Sequence, residues 1–247
     1  SMVFPIIGIF GGLAVFLYGL HKTNTNLRQA FGNKLQAWIT KISIYHSLSL
    51  FFGIFLTFTM QSSTAATSLL VGLINTGIMS LSQGLKILIG TSIGTTIATQ
   101  IITFNISQYA LILILLGYGL NVLSKKRRYQ FLGAVLLGIG FIFLGMKLIS
   151  DFAEPLKNNL YLLHLISRLQ GIPVLAFLLS ILITSILQSS TAMMGLTISL
   201  SSQGIIPLEV TIPIILGSHL GSCTTVLFVG MGKTSQAKTL TFGNLFY

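Results

Sequence analysis

A chain of 247 residues that is 53% hydrophobic and only 7% charged, with a mean hydropathy of +0.90, is no soluble domain, since those carry about 25% charged residues. Apolar segments recur along its whole length, which predicts an all-α integral membrane protein with the bilayer as the solvent for most side chains. The net charge of +11 does not make it a nucleic-acid binder, because the basic residues sit in short loops between apolar segments, where they set topology and meet lipid headgroups; the single cysteine, Cys223, excludes a disulfide framework or a cysteine-based metal cluster.

Residues 3–20 predict a first apolar helix, with Gly8, Gly11, Gly12 and Gly19 available for close helix contacts. Over 21–47, Lys22, Arg28, Lys34 and Lys41 alternate with Leu27, Phe31, Leu35, Trp38 and Ile42, the pattern of an amphipathic helix or helix pair along the membrane surface. Two short apolar arms, Ser49–Met60 and Ser68–Ile74, then flank the polar stretch Gln61-Ser62-Ser63-Thr64-Ala65. Neither arm spans a core of ~30 Å, which takes ~20 helical residues. The reading is a re-entrant hairpin whose tip is satisfied by protein or water; one long helix with a polar belt is the alternative. The next segment, from Leu85, carries Gly90-Thr91-Ser92-Ile93-Gly94-Thr95-Thr96. That composition predicts a transmembrane helix broken at mid-membrane, its freed backbone groups facing a cavity. Residues 109–123 form a further helix, followed by Lys125-Lys126-Arg127-Arg128.

The second half repeats the plan. Gln188-Ser189-Ser190-Thr191-Ala192 restates the first polar stretch 127 positions on, and Thr57/Thr184, Gly77/Gly204, Gly90/Gly217 and Gly94/Gly221 keep that offset without a gap. This is an internal duplication. A helix over 131–149 and a polar connector over 150–172 lead to arms Pro173–Leu187 and Met193–Leu200, then to a second broken segment, Gly217-Ser218-His219-Leu220-Gly221-Ser222-Cys223-Thr224-Thr225. The division is 1–124 for the first repeat, 125–130 for a basic cytoplasmic linker and 131–247 for the second, which stops where the first still has a helix. With hairpin arms that do not cross, the first repeat crosses three times, at 3–20, 85–104 and 109–123. An odd number makes the second repeat inverted. The count places eleven of the fourteen basic residues on one face, and Asp151, Glu154 and Glu209 on the other. The positive-inside rule makes the basic loops cytoplasmic and the N-terminus outside.

Serine and threonine hydroxyls donate and accept, and glutamine adds an amide. Neutral groups of this kind replace the hydration shell of a small oxyanion on one side and of Na+ on the other, with helix N-termini favouring the anion. Thr57-x-x-x-Gln61-Ser62-Ser63-Thr64-Ala65 with Gly90-x-x-x-Gly94-Thr95-Thr96, both duplicated, closely resembles the type II sodium-dependent phosphate cotransporter family, which carries repeated Gln-Ser-Ser-Ser and Gly-Ala-Asn-Ile-Gly-Thr-Thr-like motifs in inverted repeats. The resemblance covers essentially the whole chain. It implies sodium-coupled symport of inorganic phosphate by alternating access, with phosphate held by Gln61, Ser62, Ser63, Thr64, Gln188, Ser189, Ser190 and Thr191. It implies sodium near Ser92, Thr95, Thr96, His219, Ser222 and Thr224. Na+ is then the coupling ion and there is no other cofactor. Thr64 and Thr191 stand where the family has a third serine and keep the hydroxyl. Ser92 and His219 stand where the family has asparagine, and an ionisable residue at membrane depth is functional by default.

The reading is thus a secondary transporter of the cell inner membrane, not an enzyme, with phosphate, Na+ and lipid as partners and a homodimer as one way to close a shortened second repeat. A transporter of another oxyanion, or a phosphate exporter, is the alternative. An intramembrane hydrolase using serine with His219 is weaker, because catalysis needs one nucleophile–base pair and here whole stretches are duplicated.

Overall fold

The structure, a computed structural model, describes residues 3–42, 46–60, 62–104 and 106–246, with all their side chains except those of 31–36, 39–42, 46 and 47. The chain is helical: α1 Val3–Ile42, α2 His46–Met60, α3 Ser63–Asn75, α4 Leu81–Thr103, a 3-10 turn Ser107–Tyr109 leading into α5 Ala110–Leu123, α6 Arg127–Ala153 with a second 3-10 turn Glu154–Leu156, α7 Leu160–Gly171, α8 Pro173–Leu187, α9 Ser190–Ser202, α10 Leu208–Gly230 and α11 Ser235–Gly243. No strand occurs among the described residues. Four stretches are long and apolar enough to cross a membrane: Val3–Ala30, Leu81–Thr103, Arg127–Leu156 and Leu208–Gly230. Large apolar side chains such as Leu115, Leu123 and Ile186 are more than 70% exposed, an arrangement that water would penalise and lipid does not.

The helix bounds carry the sequence offset. α2 and α8, α3 and α9, and α4 and α10 each start and stop 127 positions apart. The turns that follow α3 and α9 match as well. Gly77 and Gly204 adopt φ of +74° and +71°, the left-handed conformation open to glycine. Beside them Ile78 N–H donates to Leu73 O and Ile205 N–H to Leu200 O, both at 3.1 Å, the long bond of a Schellman close.

By packing, the chain divides into two compact units, a larger one of Ser1–Asn26 with Ile102–Gly221 and a smaller one of Leu27–Ile101 with Ser222–Tyr247. In the larger unit α1 meets α6 through small residues. A Cβ on Gly12 would lie 2.8 Å from Ile149 N and 2.9 Å from Gly145 O. Phe16, fully buried, packs there with Phe143, Met146 and Ala192. In the smaller unit Leu56, Leu70, Val71, Leu88, Val226 and Leu240 are fully buried in one core, and α11 packs on α3.

Five expectations are corrected. Of the surface helix expected over 21–47, residues 21–42 continue α1 instead of forming a helix of their own, and 43–45 lie outside the described residues. Two polar side chains there bond back along it, Thr23 Oγ1 donating to Gly19 O at 2.9 Å and Asn26 Nδ2 to Lys22 O at 2.7 Å. The predicted breaks in α4 and α10 are absent, since both helices run through their glycine- and hydroxyl-rich stretches. Arm Pro173–Leu187 has the expected bounds, but α2, at 15 residues, starts earlier than expected, and α3 and α9, at 13 each, are longer because the serines and threonines of the polar stretches begin them. The connector 150–172 is largely helical, with α7 meeting α8 at 108° at Ile172-Pro173, where proline opens α8 and disfavours helical backbone in the residue before it. Arg127 and Arg128, read as linker, open α6.

Candidate functional site

Both polar stretches turn out to be helix starts. Ser62 (φ −153°, ψ 109°) caps α3 and Ser189 (φ −148°, ψ 104°) caps α9. Each side-chain oxygen accepts from the backbone three residues on, Ala65 N at 3.2 Å and Ala192 N at 3.1 Å. Serine is chosen here for the usual reason, since its oxygen satisfies one of the four orphan N–H groups of a helix start. Capping uses a lone pair and leaves the O–H as a donor. Each stretch therefore offers hydroxyl protons beside the positive end of a helix dipole.

Gln188 sits in the left-handed region at φ 53°, the one non-glycine with positive φ among the described residues. Such a residue costs about 1–3 kcal/mol unless its surroundings hold it. Its N–H donates to Thr184 O at 2.7 Å, and its side chain is exposed. Gln61 lies outside the described residues. Ser63, Thr64 and Thr191 are half-buried and Ser190 is buried.

The hydroxyls of the crossing helices are used differently. Ser92 Oγ donates to Leu88 O at 3.3 Å, Thr95 Oγ1 to Thr91 O at 2.9 Å and Thr96 Oγ1 to Ser92 O at 3.1 Å. A hydroxyl whose proton is bonded back into its own helix retains only oxygen lone pairs for a ligand. That suits a cation and not an anion. His219 and Thr224 are half-buried and Ser222 is buried. One expected phosphate residue and one expected sodium residue are brought together, Thr64 Oγ1 donating to Ser222 O at 3.3 Å.

Glycines set how closely each crossing helix approaches its hairpin. A Cβ on Gly90 would collide with Leu50 O, and one on Gly217 would collide with Phe177 O. A Cβ on Gly94 would lie 2.9 Å from Ile54 O, and one on Gly221 2.7 Å from Ile181 O. All four contacts obey the 127-residue offset. Between the helices Thr57 Oγ1 donates to Thr91 O at 3.1 Å, and 127 positions on from Gly53, Ser180 Oγ donates to Ile214 O at 2.6 Å. Thr184 Oγ1, the counterpart of Thr57, is buried without a hydrogen-bond partner.

Thr57 and Thr184, repeat markers and motif positions in the sequence but not expected ligands, are buried beside the polar stretches. A second cluster gave no sequence signal at all. In the smaller unit Asn244 Oδ1 accepts from Thr67 Oγ1 at 3.4 Å, and its Nδ2 donates to Cys223 Sγ at 3.2 Å; the residue 127 positions before Asn244 is Gly117.

The sequence model of the Na+/Pi-cotransporter family matches residues 15–151 and 159–246. Over 242 residues the chain is 26% identical to proteins of Escherichia coli (strain K12) and Salmonella typhimurium (strain LT2) that are named for inorganic phosphate export, YjbB, covering 98% of this chain and 45% of theirs. Over 232 residues it is 24% identical to YqeW of Bacillus subtilis (strain 168), covering 94% of this chain and 75% of that one. The chain thus spans less than half the length of the YjbB relatives it matches. No solved structure matches it.

Proposed function

We propose that this chain, which belongs to the Na+/Pi-cotransporter family, moves inorganic phosphate across a membrane as a secondary transporter. The observation that carries this is the pair of polar helix starts, Ser62-Ser63-Thr64 and Ser189-Ser190-Thr191, with the same capping geometry. Phosphate is bound there by the hydroxyl protons of Ser62, Ser63, Ser189, Ser190 and Thr191 and by helix N-termini, neutral donors that hold an anion without trapping it on a fixed positive charge, while Thr64 spends its proton on Ser222 O and fixes the stretch in place. Na+ is the coupling ion, held by the oxygens of Ser92, Thr95 and Thr96 on α4 and by the region of His219, Ser222 and Thr224 on α10. The back-bonded hydroxyls support that division of labour, since their protons are already engaged.

The two hairpins are re-entrant in this reading. Helices of 15 and 13 residues reach about 22 and 20 Å at 1.5 Å per residue, short of a core of ~30 Å. The repeats are inverted and the basic loops face the cytoplasm of an inner membrane, as the crossing count and the segregation of charge support.

The test is radiolabelled phosphate flux in proteoliposomes, with and without a Na+ gradient. Flux that follows the gradient is expected, and flux indifferent to Na+ sinks the coupling. The relatives named for phosphate export favour a second reading in which the physiological direction is outward. Vesicles preloaded with phosphate decide it: export predicts efflux at cytoplasmic phosphate levels that give no uptake from the opposite side.

A further inference from the structure

Within the larger unit a cavity of about 430 Å3 opens where four segments end together: the last turn of α4, the 3-10 turn before α5, the end of α6 and the end of α9. The crossing count assigns all four to one face, the non-cytoplasmic one. Lys147, Asp151, Ser150, Ser199, Ser202 and Gln203 line it. A liquid water occupies about 30 Å3, so a phosphate fits with part of its hydration shell.

Two features mark the cavity as a binding site. Ser199 is 2% exposed. Its carbonyl accepts from Ser150 Oγ at 3.3 Å and from Ser202 Oγ at 2.9 Å, while its own Oγ is buried with no partner. A buried hydroxyl in that condition is destabilising until an acceptor arrives. The second feature is Lys147, whose ammonium lies 3.0 Å from Asp151 with both side chains about half exposed. Such a pair is weak, so the ammonium is shared with an incoming oxyanion at little loss.

The corresponding junction in the smaller unit shows what opens the space. Asn75 stands 127 positions before Ser202, and its Oδ1 accepts from Thr234 N at 2.9 Å; Thr234 is the counterpart of Ser107. That bond joins the end of α3 to the chain before α11. In the larger unit serine replaces asparagine at Ser202 and its hydroxyl turns back to Ser199 O.

We infer that this cavity is a docking site for a phosphate oxyanion on the non-cytoplasmic side, separate from the polar helix starts, with Lys147 as counterion and Ser199 as hydroxyl donor. It rests on phosphate being the transported solute. The measurement is phosphate flux at varied concentration, offered to one side at a time, in oriented vesicles holding the whole chain. Lys147→Gln is expected to raise KM from the non-cytoplasmic side about tenfold, the size of one charge-assisted hydrogen bond. KM from the cytoplasmic side and kcat stay as in the wild type. Ser199→Ala moves KM the same way by about threefold, a neutral bond being weaker. Equal KM changes from both sides, or a fall in kcat alone, overturns the docking site while leaving the transport reading intact. Absence of phosphate flux in the wild type takes down both. A phospholipid headgroup presents the same oxyanion, and vesicles of galactolipid separate the sources. A site for free phosphate keeps the Lys147→Gln effect there, whereas its disappearance assigns the cavity to lipid and overturns the proposal.

Discussion

The first hairpin and crossing helix, α2 to α4, and the second, α8 to α10, match element for element but are built from different side chains. Their bounds agree at both ends, their serine caps differ by about 5° in φ, and their glycines meet the same backbone carbonyls. The hydroxyls between them have diverged. Gly53 corresponds to Ser180, which bonds Ile214 O. Thr57 bonds Thr91 O, and Thr184 has no partner. Ser92 corresponds to His219. Steric demands on the backbone allow one solution, glycine, so the scaffold stays constant. A hydroxyl layer is satisfied in many ways, so it varies, and the two modules offer ligands equal geometry with unequal chemistry.

The largest expected effect tests the constant part. Gly90→Val and Gly217→Val each drive a branched side chain into a backbone carbonyl that cannot rotate away. Each is expected to cost about 3 kcal/mol, the upper end for overpacking, read as a fall in thermal midpoint and in monodisperse yield in detergent. Tolerance at one position and collapse at the other would break the equivalence of the modules. Next in size come the caps. Ser62→Ala and Ser189→Ala should each lose about 1 kcal/mol of stability and most phosphate flux. Ser62→Asp and Ser189→Asp separate the two roles: aspartate caps as well as serine, so stability stays, while a fixed negative charge at the helix start excludes phosphate. Retained flux in both aspartate variants would remove the polar stretches from the substrate path.

Much of this was legible before any coordinates. The 127-residue offset predicted the matched helices, because a duplicated sequence under the same packing constraints refolds to the same bounds. The short apolar runs predicted helices too short to span. The expected breaks in α4 and α10 do not occur. Gly90, Gly94, Gly217 and Gly221 look like helix breakers by propensity, but their absent side chains are what lets α4 and α10 approach the hairpins, and the neighbouring hydroxyls bond back along the helix instead of interrupting it. A linear sequence does not distinguish a glycine that frees the backbone from one that admits a neighbour. Nor does it say that Ser62 and Ser189 cap helices, since serine suits a cap and a binding site alike. The cavity of the larger unit was invisible for another reason. Lys147, Ser199 and Gln203 come from separate segments that only folding brings together.

The smallest expected effect is the most informative about the variable part. Thr57→Val deletes a hydroxyl that joins two helices at 3.1 Å and leaves Thr91 O with Thr95 alone as its side-chain donor, so a loss of about 1 kcal/mol is expected. Thr184→Val removes a buried hydroxyl that bonds nothing and replaces it with a methyl of similar size. Stability should be unchanged or slightly higher, because an unsatisfied polar group is exchanged for an apolar one. A residue maintained only for packing would show no more than that. If Thr184 instead serves a ligand, phosphate or Na+ affinity falls in Thr184→Val while the thermal midpoint holds, and Thr57→Val shows the reverse pattern. Equal stability losses in the two variants would mean that Thr184 Oγ1 is engaged with the protein after all, and the asymmetry between the modules would then reduce to Ser180 and His219.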